Sequence, residues 1–198
     1  CGGTFKSKRN LDQHLDRASS GTLTMCNGVG EINFKPPTGR FADENKDHYT
    51  TPAWAWGELF TAMPILLKRQ LWDPFYCAGG TADAWTNLGV KEFKHGKGDF
   101  FKQIRRVKYD VIVTNPPFSK KQLVVATLVN TGKPFILLVR TNVLFTLWFR
   151  RMVPIFKLVL PSRQVNYTGM DGQLITFDSV FVCVRCGPKR SLHLCPRS

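Results

Sequence analysis

Residues 109–118, with the sequence YDVIVTNPPF, constrain the fold of this chain more than any other stretch. The apolar, β-branched run 111–113 is typical of a buried strand. Two consecutive prolines, 116–117, follow it, and neither has an N–H to donate to a sheet ladder. The strand must therefore end at Thr114 or Asn115. Because open α/β sheets bind ligands at the carboxyl ends of their strands, we expect a site there.

The residues after that strand suit a planar ring that bears an exocyclic amine. Asn115 offers an amide at the strand end, and Phe118 offers a flat apolar face. Together, Asn115, Pro116, Pro117 and Phe118 resemble the Asn-Pro-Pro-Phe/Tyr motif of amino-methyltransferases. Those enzymes transfer a methyl group from S-adenosylmethionine (SAM) to adenine N6, cytosine N4 or a protein glutamine, so the resemblance implies that these four residues are catalytic. A proline-rich turn after a buried strand is the alternative.

The composition favours a folded domain with a polyanionic partner. The chain has 198 residues, of which 43% are hydrophobic, enough for a sizeable core. The 28 Lys and Arg against 14 Asp and Glu give a net charge of +14, which favours nucleic acid over membrane. No apolar run is long enough to span a membrane, and no secretory signal is recognisable. Six cysteines without a signal indicate an intracellular, reducing compartment, with nucleus and cytoplasm both open.

Residues 1–20 resemble the latter part of a two-Cys, two-His zinc finger. Cys1 and His14 have its spacing, but the second His expected three to five residues later is absent. Because zinc needs four ligands, we expect a degenerate finger without metal, and a short amphipathic helix is the alternative. The chain begins with Cys rather than Met, so we expect a preceding part that also bound nucleic acid. Residues 21–47, rich in Gly, Ser, Thr, Asn and Pro, predict a loop or extension.

Residues 48–56 (HYTTPAWAW) predict the start of a helix. Thr51 suits an N-cap, and Pro52 suits the first helical position. The segment resembles the Tyr-x-Thr-Pro element of bacterial and phage adenine methyltransferases, which lies beside the carboxylate of SAM. The resemblance therefore assigns Tyr49, Thr50 and Thr51 to the cofactor, although an ordinary capped helix explains the same residues.

Residues 71–85 (LWDPFYCAGGTADAW) predict a strand, a glycine turn and a helix. Glycines let the backbone approach a ligand closely. The run resembles the Asp-Pro-Phe-x-Gly-x-Gly motif that wraps the methionine part of SAM, with Cys77 where the family has its first glycine. The resemblance assigns to the cofactor Asp73, Pro74, Phe75, Cys77 and Gly79.

The family usually ends its second strand with an acid that bonds the ribose hydroxyls. The second strand predicted here, 90–94, ends without one. Asp99 and Phe100 resemble the family's Asp-Phe/Ile element, which contacts the adenosine, so the resemblance gives them that role. Glu92 is the alternative acid for the ribose, and Asp99 is equally suited to cap a helix over 100–106.

Strands and helices alternate from Asp73 onward, which predicts a doubly wound, mostly parallel α/β sheet. The resemblance covers residues 48–186 and implies a Rossmann-like class I methyltransferase fold with a closing antiparallel strand, in a domain 48–198. The linker 161–172 corresponds to the family's substrate-facing loop. The further predicted elements are a helix 122–130 ended by Gly132, a buried strand 133–140, a helix 144–152, and strands 156–160 and 173–186.

The tail has zinc-like spacing, with Cys183-x-x-Cys186 followed by His193-x-Cys195. Cys183 falls inside a strand pattern, so we expect its thiol to face the core and predict no metal site.

The order of the three motifs is that of one class of adenine methyltransferases. It implies that the chain methylates the N6 amine of adenine in DNA, with SAM as cofactor. The same chemistry on RNA and a non-catalytic nucleic-acid-binding domain are the alternatives. No room remains for a separate target-recognition domain, so we expect sequence specificity to come from the 161–172 loop, from the region preceding Cys1 or from a partner.

Overall fold

The computed structural model describes residues 22–23, 32–33, 49–169 and 171–196. The finger-like segment 1–20 lies outside these residues. Within the predicted extension 21–47, the described residues form two short antiparallel strands, β1 (Thr22–Leu23) and β2 (Ile32–Asn33).

The remaining described residues form an α/β domain whose elements alternate along the chain. Two 3₁₀ helices, Pro64–Lys68 and Thr141–Phe145, supplement the α-helices. The helices are α1 (Ala53–Ala62), α2 (Gly80–Asn87), α3 (Phe100–Gln103), α4 (Lys121–Thr131) and α5 (Leu147–Met152). The strands are β3 (Tyr49–Thr50), β4 (Leu71–Asp73), β5 (Phe93–His95), β6 (Val111–Thr114), β7 (Phe135–Arg140), β8 (Lys157–Leu160), β9 (Val165–Gly169), β10 (Leu174–Phe177), β11 (Ser179–Val184) and β12 (Leu192–Leu194).

The main sheet has seven strands in the order β12-β8-β11-β7-β6-β4-β5. Strands β5, β4, β6 and β7 are parallel, whereas β11 runs antiparallel to both β7 and β8. This confirms the predicted mostly parallel α/β sheet. The antiparallel strand that was expected to close the sheet is β11, which lies between β7 and β8 rather than at an edge. The architecture is compatible with a Rossmann-like fold.

Helices cover both faces of this sheet, which is why its central strands read as continuous apolar runs. Neighbouring residues of one strand point to opposite faces. Ile112 and Leu137 join a core with Phe149, whereas Val113 and Ile136 join the core on the other face. In that second core, the Trp56 and Trp85 rings pack edge to face, with their centroids 5.7 Å apart. The two faces together bury the whole of β6.

Between β4 and β6, the order in which the chain adds strands to the sheet changes side. From β4 it crosses through α2 to β5 on one side, and from β6 it crosses through α4 to β7 on the other. The carboxyl ends of β4 and β6 therefore flank a crevice, which is where open α/β sheets bind ligands. We call this side of the sheet the carboxyl edge and the opposite side the amino edge.

The prediction that residues 161–172 form a loop was wrong, because β9 occupies the middle of this segment. Val165 and Tyr167 alternate with exposed residues and are buried, which gives β9 one apolar face. It pairs with β3 and β10 in a three-stranded antiparallel sheet. The single strand predicted over 173–186 is correspondingly divided at Asp178, because its two halves, β10 and β11, belong to different sheets.

Other element boundaries also differ from prediction. The helix expected over 100–106 ends at Gln103, and the second strand begins at Phe93 rather than at residue 90. The helix expected over 144–152 is a 3₁₀ helix followed by the six-residue α5. The prediction for α4 is confirmed, with Gly132 ending it at φ 71°. No helix of the described residues is long and apolar enough to cross a membrane.

Candidate functional site

An open cleft lies at the carboxyl ends of β4 and β6. It brings together residues from all three motifs of the sequence. Their separation along the chain shows that the fold assembles the cleft from distant segments. The cleft is lined by Tyr49, Thr50, Thr51, Trp56, Asp73, Phe75, Tyr76, Cys77, Gly80, Thr81 and Asn115.

Asn115 follows β6 directly and is held across the cleft. Its Nδ2 donates a hydrogen bond of 3.3 Å to Oγ1 of Thr51, 64 residues earlier in the chain. This bond orients the amide, so Oδ1 is the atom left to accept. Oδ1 is buried and has no hydrogen-bond partner among the described residues. Such an unsatisfied acceptor costs about 1–3 kcal/mol, and a donor on a bound molecule would remove that cost.

The predicted N-cap role of Thr51 was wrong. Pro52 is the N-cap residue of α1, and no side chain caps the helix. The hydroxyl of Thr51 instead accepts the Asn115 amide, and the residue is 4% exposed. The helix starts at Ala53, one residue later than expected.

Asp73 ends β4 as a buried carboxylate. Its Oδ1 accepts hydrogen bonds from Thr114 Oγ1 at 2.5 Å and from the Phe75 backbone N–H at 3.3 Å. His95, at the end of β5, brings Nδ1 to 3.4 Å from Oδ2. Burial raises the pKa of this carboxyl above its usual range, and His95, Thr114, Phe75 and Thr81 oppose the rise. Sequence reasoning missed Thr114, Thr81 and His95, although their positions directly after or within predicted motifs were a usable signal.

The turn between β4 and α2 adopts left-handed backbone at two positions. Cys77 has φ 46°, in a region that favours glycine, at the position where the family motif has glycine. Gly79 has φ 84°, and a Cβ there would lie 2.8 Å from the Tyr76 hydroxyl oxygen. A Cβ on Gly80 would lie 3.0 Å from Thr50 Cγ2, so this turn packs closely against β3. Cys77 lines the cleft, Gly79 shapes it, and Pro74 is buried just before the turn.

Asp99 and Phe100 are not among the residues that line the cleft, although Phe100 packs against one of them. Asp99 is the N-cap of α3 and accepts a hydrogen bond of 2.9 Å from the Phe101 N–H. Phe100 is buried, with its ring centroid 5.3 Å from that of Phe75. The cap function of Asp99 is confirmed, and its predicted contact with an adenosine stays a prediction. Glu92 is exposed.

A second cleft lies on the other side of the Asn-Pro-Pro-Phe turn. Pro116 is buried in its wall, and Pro117 is half-buried. Phe118 belongs to a group of aromatic rings in which the centroids of Tyr49 and Phe177 lie 5.5 and 5.6 Å from its own. The second cleft is lined by Pro116, Phe118, Lys121, Leu138, Val139, Arg140 and Val143.

The β9–β10 hairpin supports Phe118 from behind. Tyr167 is buried, its ring meets Phe118 edge-on at 6.4 Å, and its hydroxyl donates to Ser179 Oγ at 2.7 Å. Burial raises the pKa of Tyr167 to about 12, so the hydroxyl stays neutral and acts as a donor. The Arg140 guanidinium carbon lies 4.0 Å from the centroid of the Phe177 ring. The segment expected to be a substrate-facing loop thus contributes a packed wall.

The cysteines of the tail are free thiols that are buried or partly buried. Cys183 is fully buried, as predicted from its strand pattern, and burial raises its thiol pKa above the usual range. Burial also raises the pKa of Cys186 and of Cys195 to about 11. Among residues 49–169 and 171–196, no three His, Cys, Asp or Glu side chains cluster as metal ligands would.

Comparison with known proteins adds no relative: no family model matches this chain, and no curated protein matches it significantly. The assignment of its residues therefore depends on the clefts and their contacts.

Proposed function

We propose that this chain is a SAM-dependent methyltransferase that acts on the N6 amine of adenine in DNA. The observation that carries the proposal is Asn115 Oδ1, a buried acceptor without a partner among the described residues, at a topological switch point. An exocyclic amine is a donor of the kind this atom lacks. The motif resemblance supplies the identity of the reaction, and the geometry supports it.

The first cleft would hold the methionine end of SAM. Gly79 and Gly80 carry no side chain, so the main chain of this turn can approach a ligand closely. Thr51 and Tyr49 would flank the carboxylate, and Asp73 would fix the turn through the Phe75 N–H. When bound there, SAM supplies an electrophilic methyl group.

The chain's own contribution to the reaction is positioning. Asn115 Oδ1 and the Pro116 carbonyl would accept hydrogen bonds from the two N–H groups of the amine. These bonds would turn the lone pair of the nitrogen toward the first cleft. The Thr51 hydroxyl fixes the Asn115 amide, so the acceptor is oriented before substrate arrives. Such pre-orientation contributes to rate without a general base.

The second cleft would hold the base. Phe118 lines it, and aromatic side chains stack on extruded bases. Adenine inside a duplex is out of reach, so a duplex must release it or the strand must be single. The net charge of +14 suits the phosphate backbone of either polymer.

Replacing Asn115 tests the proposal. Asn115→Ala should abolish methyl transfer to adenine while the SAM dissociation constant stays within a few-fold, because Asn115 is assigned to the amine. Turnover is measured by mass spectrometry of nucleosides, and SAM binding by calorimetry. Asn130→Ala is the matched control, since Asn130 also has a buried amide atom without a partner among the described residues but lies at the far end of α4.

Together, the two variants distinguish a loss of the contact with the amine from a loss of folding. Near wild-type turnover by Asn115→Ala would remove the assignment. Equal losses in Asn115→Ala and Asn130→Ala would show that the effect comes from folding rather than from the amine.

A non-catalytic nucleic-acid-binding domain is the second candidate, favoured by the exposure of both candidate ribose acids, Asp99 and Glu92. If Asp99 binds the ribose, Asp99→Ala and Asp99→Ser should each weaken SAM binding at least tenfold, as loss of a bond to a charged acceptor implies. Asp99→Ser keeps an N-cap oxygen and so should retain stability. An unchanged SAM dissociation constant in the serine variant would leave Asp99 as a cap alone. Failure of the wild-type chain to bind SAM would favour the non-catalytic candidate.

A further inference from the structure

The segment after β7 exposes apolar side chains at the carboxyl edge. Phe145 is 77% exposed and Leu147 is 58% exposed, in a domain whose other phenylalanines are buried or half-buried. We call residues 141–147 the wedge segment. A single exposed apolar side chain is ordinary, but an exposed phenylalanine beside a ligand-binding edge is a candidate contact.

The backbone of the wedge segment is held firmly under these side chains. Residues Thr141–Phe145 form a 3₁₀ helix whose Val143 is 3% exposed and belongs to the core. The Thr146 N–H and Oγ1 both donate to the Val143 carbonyl, at 3.1 and 2.7 Å. At the other end, the Thr141 N–H donates to the Asp178 carbonyl at 2.9 Å. The segment therefore presents Phe145 from a fixed base.

Positive charge flanks the wedge segment on both sides. Arg140 precedes it and is exposed, and Arg150 and Arg151 follow on α5, also exposed. Arg150 and Arg151 lie three and four residues after Leu147 in α5, so the three side chains lie on the same helix face. The ion pairs found among residues 49–169 and 171–196 include none of these three arginines.

The wedge segment is continuous with the second cleft. Arg140 and Val143 line that cleft together with Phe118. An apolar side chain that projects next to a cleft lined by Phe118, between basic side chains, matches the way proteins hold a duplex open. Such proteins insert an apolar wedge between base steps and contact the neighbouring phosphates.

We propose that Phe145 inserts into the base stack of duplex nucleic acid at the position that the target base vacates, while Arg140, Arg150 and Arg151 contact the flanking phosphates. This inference rests on the proposed function for the identity of the extruded base. An anionic membrane would also attract exposed apolar and basic side chains. The continuity with the second cleft favours a duplex, and the membrane is an outcome of the test.

The test uses a 20-nucleotide oligo(dA) strand and its duplex with oligo(dT), each with one central 2-aminopurine, whose fluorescence rises when it unstacks. Wild-type protein should raise the fluorescence of the duplex. Phe145→Ala should weaken this unstacking and methyl transfer on the duplex at least about fivefold, because one stacking contact is lost. Single-strand methyl transfer should change little, and Phe145→Trp should restore the duplex signal.

Ile65→Ala is the matched control. Ile65 is 54% exposed in the 3₁₀ helix Pro64–Lys68, which precedes β4 and so lies at the amino edge. Its replacement should leave unstacking and turnover at wild-type values. A second control pair compares the salt dependence of duplex binding in Arg150→Ala/Arg151→Ala with that in Lys68→Ala/Arg69→Ala. The slope should fall in the first pair and stay constant in the second.

The possible outcomes distinguish a failure of the wedge proposal from a failure of the proposed function. Phe145→Ala with wild-type unstacking and an unchanged ratio of duplex to single-strand turnover overturns the wedge but leaves the methyltransferase. Unstacking that depends on Phe145 without any methyl transfer supports the wedge and removes the proposed function. Loss of binding to phosphatidylserine vesicles, with duplex binding intact in Phe145→Ala, overturns the wedge in favour of a membrane contact.

Discussion

The two edges of the parallel sheet are built from the same strands, yet their polar groups are used differently. At the amino edge, Asp110 accepts a hydrogen bond from the Gln70 N–H at 3.0 Å, and Lys133 lies 4.2 Å from the Tyr109 ring centroid. At the carboxyl edge, Asp73 is buried with a raised pKa, and Asn115 Oδ1 lacks a partner among the described residues. At the amino edge one buried amide atom, Nδ2 of Asn130 at the end of α4, also lacks a partner among the described residues. The atom at the carboxyl edge, Asn115 Oδ1, belongs to a residue that lines a cleft, where a ligand can reach it.

The glycines of the two edges should respond most unequally to substitution. Gly79 and Gly132 both have positive φ, 84° and 71°, so alanine is strained at each by about 1–2 kcal/mol. A Cβ on Gly79 also meets Tyr76, whereas a Cβ on Gly132 meets nothing within 4 Å. Gly79→Ala should therefore lose more free energy of unfolding, by about 1–3 kcal/mol.

Urea unfolding measures both glycine variants. Calorimetry should show a lowered SAM affinity in Gly79→Ala alone. Equal losses of stability and of SAM affinity in the two variants would erase the distinction between the edges at these turns.

The two aspartates should differ in their effect on pH dependence. Burial raises the folded-state pKa of Asp73 above its ordinary value of 3.8, against the opposing effect of His95. Protonation then favours the folded state, so free energy of unfolding is lost as pH rises from 3.8 through the raised pKa. Asp73→Asn should remove this loss, because Asn keeps an oxygen for Thr114 and Phe75 and cannot ionise.

Asp110→Asn is the control at the exposed amino edge. Free energies of unfolding at several pH values should show the flattened profile in Asp73→Asn relative to Asp110→Asn. Parallel profiles would mean that the buried carboxylate does not titrate as its surroundings require.

Short-range patterns in the sequence predicted where individual strands and helices end. The apolar run before Pro116 identified β6, and Gly132 identified the end of α4, because each signal lies within a few residues of its effect. The contacts between motifs were beyond that range. Asn115 meets Thr51 across 64 residues and Thr114 meets Asp73 across 41, and no local pattern determines these pairings.

The same limit explains the errors. Thr51 carries every local signal of an N-cap, yet a hydrogen bond from Asn115 determines its role. Strand β9 was missed because polar residues and glycine surround it, and its partner Tyr49 lies far away in the chain. Long-range pairing overrode local preference in both cases.

The smallest expected effect concerns two residues with the same backbone strain. Cys77 and Arg185 have φ values of 46° and 56°, and glycine at either should gain about 1 kcal/mol of stability. Cys77 lines the first cleft, whereas Arg185 follows β11 at the amino edge. Cys77→Gly should raise SAM affinity a few-fold, and Arg185→Gly should leave it unchanged. Calorimetry that finds the same SAM affinity in both would contradict a cofactor role for this turn.

Methyl transfer itself tests the function assigned to the carboxyl edge. The chain is incubated with SAM that carries an isotope-labelled methyl group and with adenine-containing DNA or RNA strands, and the nucleosides are analysed by mass spectrometry. The account predicts labelled N6-methyladenine in DNA that disappears in Asn115→Ala and persists in Asn130→Ala. Label in RNA alone would reassign the polymer, and an absence of labelled adenine from both polymers, with the chain folded and SAM bound, would contradict the account.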